Sequence, residues 1–138
     1  MNIFKLISFI PLLGVVLALY FVMQVSGVNF AEPTSLFSLP LPSGAQWSLT
    51  GSDIFVMLGI ITLFIEIVKS VRTGTGTILE HALSLVVFIV FLILFLLVET
   101  AGTSAFLIVT LMCLLDVIAG FTITVATARR DYAIGPPG

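Results

Sequence analysis

Leu85-Val-Val-Phe-Ile-Val-Phe-Leu-Ile-Leu-Phe-Leu-Leu-Val98 is an unbroken apolar run, with no charge and no hydroxyl. A strand facing water on one side alternates apolar and polar residues, as do the strands of a membrane β-barrel. This run does neither. Extended back to Ile78 it reaches the ~20 residues that cross a ~30 Å hydrocarbon layer as an α-helix. Its wheel is apolar all round, as expected of a helix solvated by lipid.

Three further segments read the same way. The spans are expected at about residues 3–25, 54–71, 78–98 and 104–128, with a long loop at 27–53. Composition agrees: of 138 residues, 59% are hydrophobic and 9% charged, and the mean hydropathy is +1.30. A soluble domain carries about a quarter charged residues, so a water-facing surface cannot be built from this chain. The expectation is a single membrane domain, all-α: a bundle of four transmembrane helices. A secretory signal peptide is the rival reading of the first segment, with Val25-Ser26-Gly27 as a cleavage site. The uncharged run from Leu6 to Met23 exceeds the usual core of about 7–15 residues, which favours a span.

Charge placement predicts orientation. The basic residues Lys5, Lys69, Arg72, Arg129 and Arg130 fall before the first span, between the second and third, and after the fourth. Four alternating spans put these places on one side, and the positive-inside rule makes that side the cytoplasm. Both termini are then cytoplasmic. Lys69, Arg72, Arg129 and Arg130 are expected as anchors at that interface. The opposite loops carry only Glu32, Asp53 and Glu99.

The connections differ in kind. Residues 72–77 and Thr100–Thr103 read as tight turns, with Gly102 suited to a positive φ. The outer loop contains Phe37-Ser-Leu39, Pro40-Leu-Pro-Ser-Gly44 and Gln46-Trp-Ser-Leu49. Short alternating runs around a Pro/Ser/Gly turn predict a small β-hairpin on the membrane surface, against an irregular loop. Trp47, the only tryptophan, suits the headgroup level. Pro11 predicts a kink in the first helix.

Polar groups inside lipid cost ~2.5–3.5 kcal/mol each on insertion scales and so mark function or packing. Counted at 1.5 Å per residue from the cytoplasmic helix ends, His81 lies ~5 Å in, Glu66 ~8 Å, Ser84 ~9 Å, Thr62 ~14 Å and Asp116 ~18 Å. Asp116 is near the midplane, and its one methylene is too short to snorkel. Cys113, Asp116, Gly120, Thr124 and Thr127 share a face of the fourth helix; Gly59, Thr62, Glu66 and Ser70 share one on the second. The expectation is that Asp116 faces the bundle axis in its neutral form and donates to Thr62 or a backbone carbonyl, since burying the charge costs more. Gly14 and Ala18, at small-x-x-x-small spacing, together with Gly59 and Gly120, are the candidate close-packing residues.

Each of these has a plainer reading. Asp116 is expected as polar glue between helices, with a proton or cation site and pairing with a basic residue of a partner subunit as alternatives. Glu66 and Lys69, three apart, read as a structural ion pair. Glu80 complements a helix N-terminus. His81 reads as a solvated interfacial residue, or with Glu66 and Ser84 as the mouth of a proton route. Phe88, Phe91 and Phe95 read as packing or lipid contact.

Sharper chemistry fails on arithmetic. One histidine cannot supply both axial ligands of a bis-His haem. Cys113 and His81 differ in depth by ~18 Å, too far for a nucleophile and base. Cys113 and Asp116 lack further metal ligands. Gly74-Thr-Gly76 lacks the spacing and preceding strand of a phosphate loop, and no basic patch suggests nucleic acid. No cofactor, metal or catalytic residue is therefore expected.

The segments Phe64-Ile-Glu66-Ile-Val-Lys69-Ser-Val-Arg72-Thr-Gly74, His81-Ala-Leu-Ser84, Thr110-Leu-Met-Cys-Leu-Leu-Asp116-Val-Ile-Ala-Gly-Phe121, Ala128-Arg-Arg-Asp131 and Pro42-Ser-Gly-Ala-Gln-Trp47 resemble a family of small, uncharacterised four-helix inner-membrane proteins of proteobacteria, with no known activity. The resemblance spans most of the chain and implies a bacterial inner membrane and the same four spans. The chain departs from the small multidrug transporters, whose essential Glu lies in the first helix, and it does not look like the fluoride channels of similar size.

The functional expectation is a non-enzymatic membrane protein acting by association, as a homo-oligomer or an accessory subunit of a larger complex. A small proton-coupled transporter or ion channel using Asp116, Glu66 and His81 is the alternative. An intramembrane enzyme lacks a base and nucleophile at matching depth.

Overall fold

The computed structural model describes residue 3 and residues 9–71 and 77–133. Among them, four helices and one hairpin follow in the order α1 (Leu12–Val25), β1 (Ser35–Pro40), β2 (Gln46–Thr50), α2 (Gly51–Val71), α3 (Thr77–Leu97) and α4 (Ser104–Ala133). A 3-10 turn, Glu99–Ala101, joins α3 to α4. Three helices are long and apolar enough to cross a membrane: α2, α3 and α4. The fourth, α1, is equally apolar but has 14 residues, about 21 Å at helical rise.

At Pro11, the expected kink, the helix is interrupted. Pro11 is the N-cap, with φ −63° and ψ 119°, because it donates no N–H and fits where the helix has no partner for one. Phe9 is helical, Ile10 and Pro11 are not, and helix resumes at Leu12. Lys5 and most of the expected first turns lie outside the described residues, as do Arg72, the expected turn after it, and the last five residues.

α1 ends at a glycine. Gly27 takes φ +98°, its N–H donates to Gln24 O at 3.1 Å, and Val28 N–H donates to Met23 O at 3.0 Å. This paired bonding satisfies the last carbonyls as a Schellman motif. Val28 then packs on Gly51, where an added Cβ would meet Val28 Cγ1 at 2.4 Å. The end of α1 is thereby held against the start of α2.

The hairpin is present. β1 and β2 are antiparallel, with Leu39 opposite Trp47, Phe37 opposite Leu49 and a bulge between Ser35 and Phe37. Gly44, at φ +85°, and the bond from Leu41 N–H to Ala45 O close the turn. β2 passes into α2 without a linker. Thr50 and Asp53 form a capping box there: Thr50 N–H and hydroxyl donate to Asp53 Oδ2 at 2.8 and 2.7 Å, and Asp53 N–H reaches back to Thr50 Oγ1 at 3.3 Å. Two orphan donors are met reciprocally, which is why α2 begins three residues before the expected position 54.

α4 packs against both α2 and α3, and α1 chiefly against α2. The core centres on Tyr20, Phe55, Phe91 and Phe106, all fully buried, with Leu13, Val16, Val109 and Cys113. Tyr20 stacks on Phe30 at 4.2 Å and meets Phe55 and Phe106 at 4.9 and 4.8 Å, while Phe91 lies 5.1 Å from Phe106. The Tyr20 hydroxyl donates to Thr100 O at 2.7 Å. An aromatic stopper thus fills the half of the bundle nearest the hairpin.

Two packing expectations need correction. Ala18 is exposed and Gly14 makes only ordinary contact with Val87; the buried seam of α1 is Leu13, Val16 and Tyr20. Gly102 has φ −75°, since the 3-10 turn needs no left-handed residue. Gly59 does mark a close approach: an added Cβ would sit 2.9 Å from Met112 Sδ and 3.0 Å from Val109 Cγ2.

Candidate functional site

Helical periodicity turns the polar residues of three helices inward at one level. Glu66 and Ser70 from α2, His81 and Ser84 from α3, and Asp116 from α4 are all buried, with Asp116 3% and His81 4% exposed. Asp116 lies beside Ser84, and Glu66 and Lys69 are near enough to act on its charge. The shared level is clear when counted from the α3–α4 turn: Ser84 is about 20 Å below the end of α3, and Asp116 about 18 Å below the start of α4, at 1.5 Å per residue. Counting from the other end separates them because α4, at 30 residues, is longer than the 21-residue α3.

Glu66 has the most consequential partner. Leu12 N–H, the first of α1, donates to Glu66 Oε1 at 2.5 Å. Lys69 Nζ lies 3.3 Å from both carboxylate oxygens, so the expected pair with Lys69 is present. A carboxylate at a helix start satisfies an orphan N–H and meets the positive end of the helix dipole. In low dielectric both effects gain strength. Glu66 therefore ties the start of α1 to α2, a role for which Pro11 was the available sequence signal: the residue after an N-cap proline carries an unmet donor.

His81 is not a solvated interfacial residue. Its ring lies against α4 at Gly120, where an added Cβ would meet Nδ1 at 2.4 Å and Cε1 at 2.5 Å. Nε2 is 3.0 Å from Thr124 Oγ1, and the Thr124 hydroxyl donates to Gly120 O at 2.9 Å. A hydroxyl has one proton. With that proton on the carbonyl, Thr124 accepts and His81 Nε2–H donates, which assigns the tautomer. Gly120 is thus a seat for an imidazole, more specific than the general small residue expected.

Thr62 is a correction. Its hydroxyl donates to Leu58 O at 2.7 Å and Gly59 O at 2.9 Å, within its own helix. Among the described residues Thr62 makes no bond to Asp116, which lies beside Ser84 instead. Arg129 and Arg130 are exposed at the end of α4. Trp47 is on the hairpin, at the other end of α2. Arg72 is outside the described residues.

Chemically, the cluster joins a carboxylate held by a lysine and a helix start, a second carboxyl beside a hydroxyl, and an imidazole with one nitrogen donating. Among the described residues no three His, Cys, Asp or Glu side chains converge to hold a metal ion. The arrangement can fasten helices together or hold a proton. Phe91 is in the core, with Phe88 and Phe95 packed around it, so that stripe is packing. No family model, curated protein or solved structure matches the chain, and its reading rests on its own residues.

Proposed function

We propose that the chain is a non-enzymatic inner-membrane protein of four spans, with both termini cytoplasmic, that works by association as a homo-oligomer or as an accessory subunit of a larger complex. The observation that carries this reading is the division of its interior. One half holds polar groups that bond to one another or to the backbone; the other is filled by Tyr20, Phe30, Phe55, Phe91 and Phe106. A single copy so stoppered offers its work at its outer surfaces, which are broadly apolar on α2, α3 and α4. Support for the orientation comes from Lys69, Arg129 and Arg130 at helix ends opposite the hairpin.

The test is native mass spectrometry after gentle extraction from native membranes. A stoichiometric foreign subunit or a defined homo-oligomer is expected. A monomer with measurable ion flux in liposomes would refute the proposal.

One observation favours a second reading, a proton or cation site: the convergence of Asp116, Ser84 and Glu66 at one buried level. Asp116→Asn separates the two, since it keeps hydrogen bonding and abolishes titration. Association predicts unchanged assembly and no flux in either protein; a transport site predicts flux that the substitution removes.

A further inference from the structure

We propose that the apolar face of the β1–β2 hairpin lies in the headgroup layer of the bilayer, so that the hairpin is a lipid-docking surface with Trp47 at its centre. The inference rests on the chain spanning the membrane. Phe37 and Leu39 on β1, and Trp47 and Leu49 on β2, are paired across the strands and project from one face. Phe37, Leu39 and Trp47 remain 55%, 44% and 39% exposed. The opposite face carries Ser38 and Ser48, whose hydroxyls meet at 3.2 Å, with Ser35 bonded to Ser38 at 3.1 Å. The hairpin is therefore a two-sided sheet, one side aromatic and aliphatic, the other centred on serines with Pro40 and Gln46, and Leu36 is exposed at the bulge.

Two observations identify lipid as the occupant. First, β2 runs into α2 with no intervening residue, and the capping box fixes that junction, so the sheet begins where a spanning helix ends. The helix it enters is itself exposed and apolar at Met57, Ile60 and Phe64. Second, no residue between Glu32 and Asp53 is charged. A water-facing hairpin would carry charges on its open edges. Full immersion is excluded as well, because those edges hold unpaired N–H and C=O groups that hydrocarbon cannot satisfy. The headgroup layer meets both conditions: water reaches the edges and serines, while the rings contact acyl chains. With no charge in the sheet, docking is expected to be independent of ionic strength and of anionic lipid.

Because Trp47 is the only tryptophan, the fluorescence of the intact chain in phosphatidylcholine vesicles reports on the hairpin alone. Lipids brominated at graded acyl positions should place Trp47 ~5–10 Å into the headgroup/acyl boundary. Aqueous iodide should quench it far less than free tryptophan, and neither result should change with salt or added phosphatidylglycerol. Phe37→Ser with Leu39→Ser should restore iodide quenching. Strong iodide quenching without lipid quenching would overturn the proposal by placing the face in water. Shielding from both quenchers would overturn it by placing a second copy or a protein partner there. Resistance to alkaline carbonate extraction, measured on the same vesicles, reads the spans separately, so failure of the hairpin to dock is distinguishable from failure of the chain to insert.

Discussion

At Gly120 a single hydrogen in place of a methyl group decides whether His81 has a seat. An alanine there would gain ~1 kcal/mol of helix propensity. Against this, its Cβ would overlap the imidazole at Nδ1 and Cε1, and overpacking costs ~1–3 kcal/mol. Displacing the ring also breaks its bond to Thr124, worth ~0.5–1.5 kcal/mol. Gly120→Ala is therefore expected to destabilise by about 1–3 kcal/mol, read by denaturant unfolding in detergent. The same substitution in a His81→Ala background should be neutral or stabilising; equal losses in both backgrounds would refute the seat. Gly59→Ala meets mainly the flexible end of Met112 and is expected to cost less than Gly120→Ala. The inward face of α4 was legible from the spacing of Asp116, Gly120 and Thr124. That Gly120 accommodates an imidazole was not, because helical spacing places residues on a face without saying what lies opposite. Thr62 shows the same limit: it shares a face with Glu66, yet its hydroxyl bonds to the Leu58 and Gly59 carbonyls of its own helix.

Among the elements, α1 depends most on its neighbours. Fourteen residues are marginal for a helix on their own, and the start of α1 has no side-chain cap of its own. Glu66 supplies one from α2. Glu66→Leu is expected to strip the Leu12 N–H of its acceptor and leave Lys69 without its ion pair. Amide hydrogen exchange at Leu12 should accelerate by about tenfold or more, corresponding to the ~1.5–3 kcal/mol of a charged hydrogen bond, with the middle of α4 unaffected. Protection unchanged at Leu12 would mean that another acceptor serves. The hairpin junction gives a second case: Asp53→Ala should cost ~0.5–2 kcal/mol through loss of the cap, measured by thermal unfolding. Thr50-x-x-Asp53 announced that cap in the sequence, yet hydropathy alone drew the helix start at the first strongly apolar residue. The three long apolar helices and the hairpin were readable because composition and turn residues are local signals. The break at Ile10–Pro11 was readable from the proline, whereas the acceptor that Glu66 offers to Leu12 N–H was not, because it comes from another helix.

For the whole molecule, the charge distribution makes a topological prediction. In a Cys113→Ala background, cysteine at Ser43 should be labelled by an impermeant maleimide from the hairpin side only, and cysteine at Ala133 only after the membrane is opened. Labelling of both from the same side would refute the even number of spans. The orientation expected from basic residues in three separated places is what this labelling tests, whereas the level shared by Asp116 and Ser84 was hidden because α4 is longer than α3. That level also bears on how the chain is made. Asp116 and Thr124 find Ser84 and His81 on the immediately preceding helix, across a connection no longer than a 3-10 turn and its flanks. If the spans insert in chain order, α3 is expected to be in place when the carboxyl of α4 arrives, so that the most costly residue of the chain enters lipid beside a matching hydroxyl. Glycosylation-tag assays of α4 insertion should show lower efficiency when Ser84 and His81 are both replaced by Ala; unchanged efficiency would mean that α4 partitions into the membrane unaided.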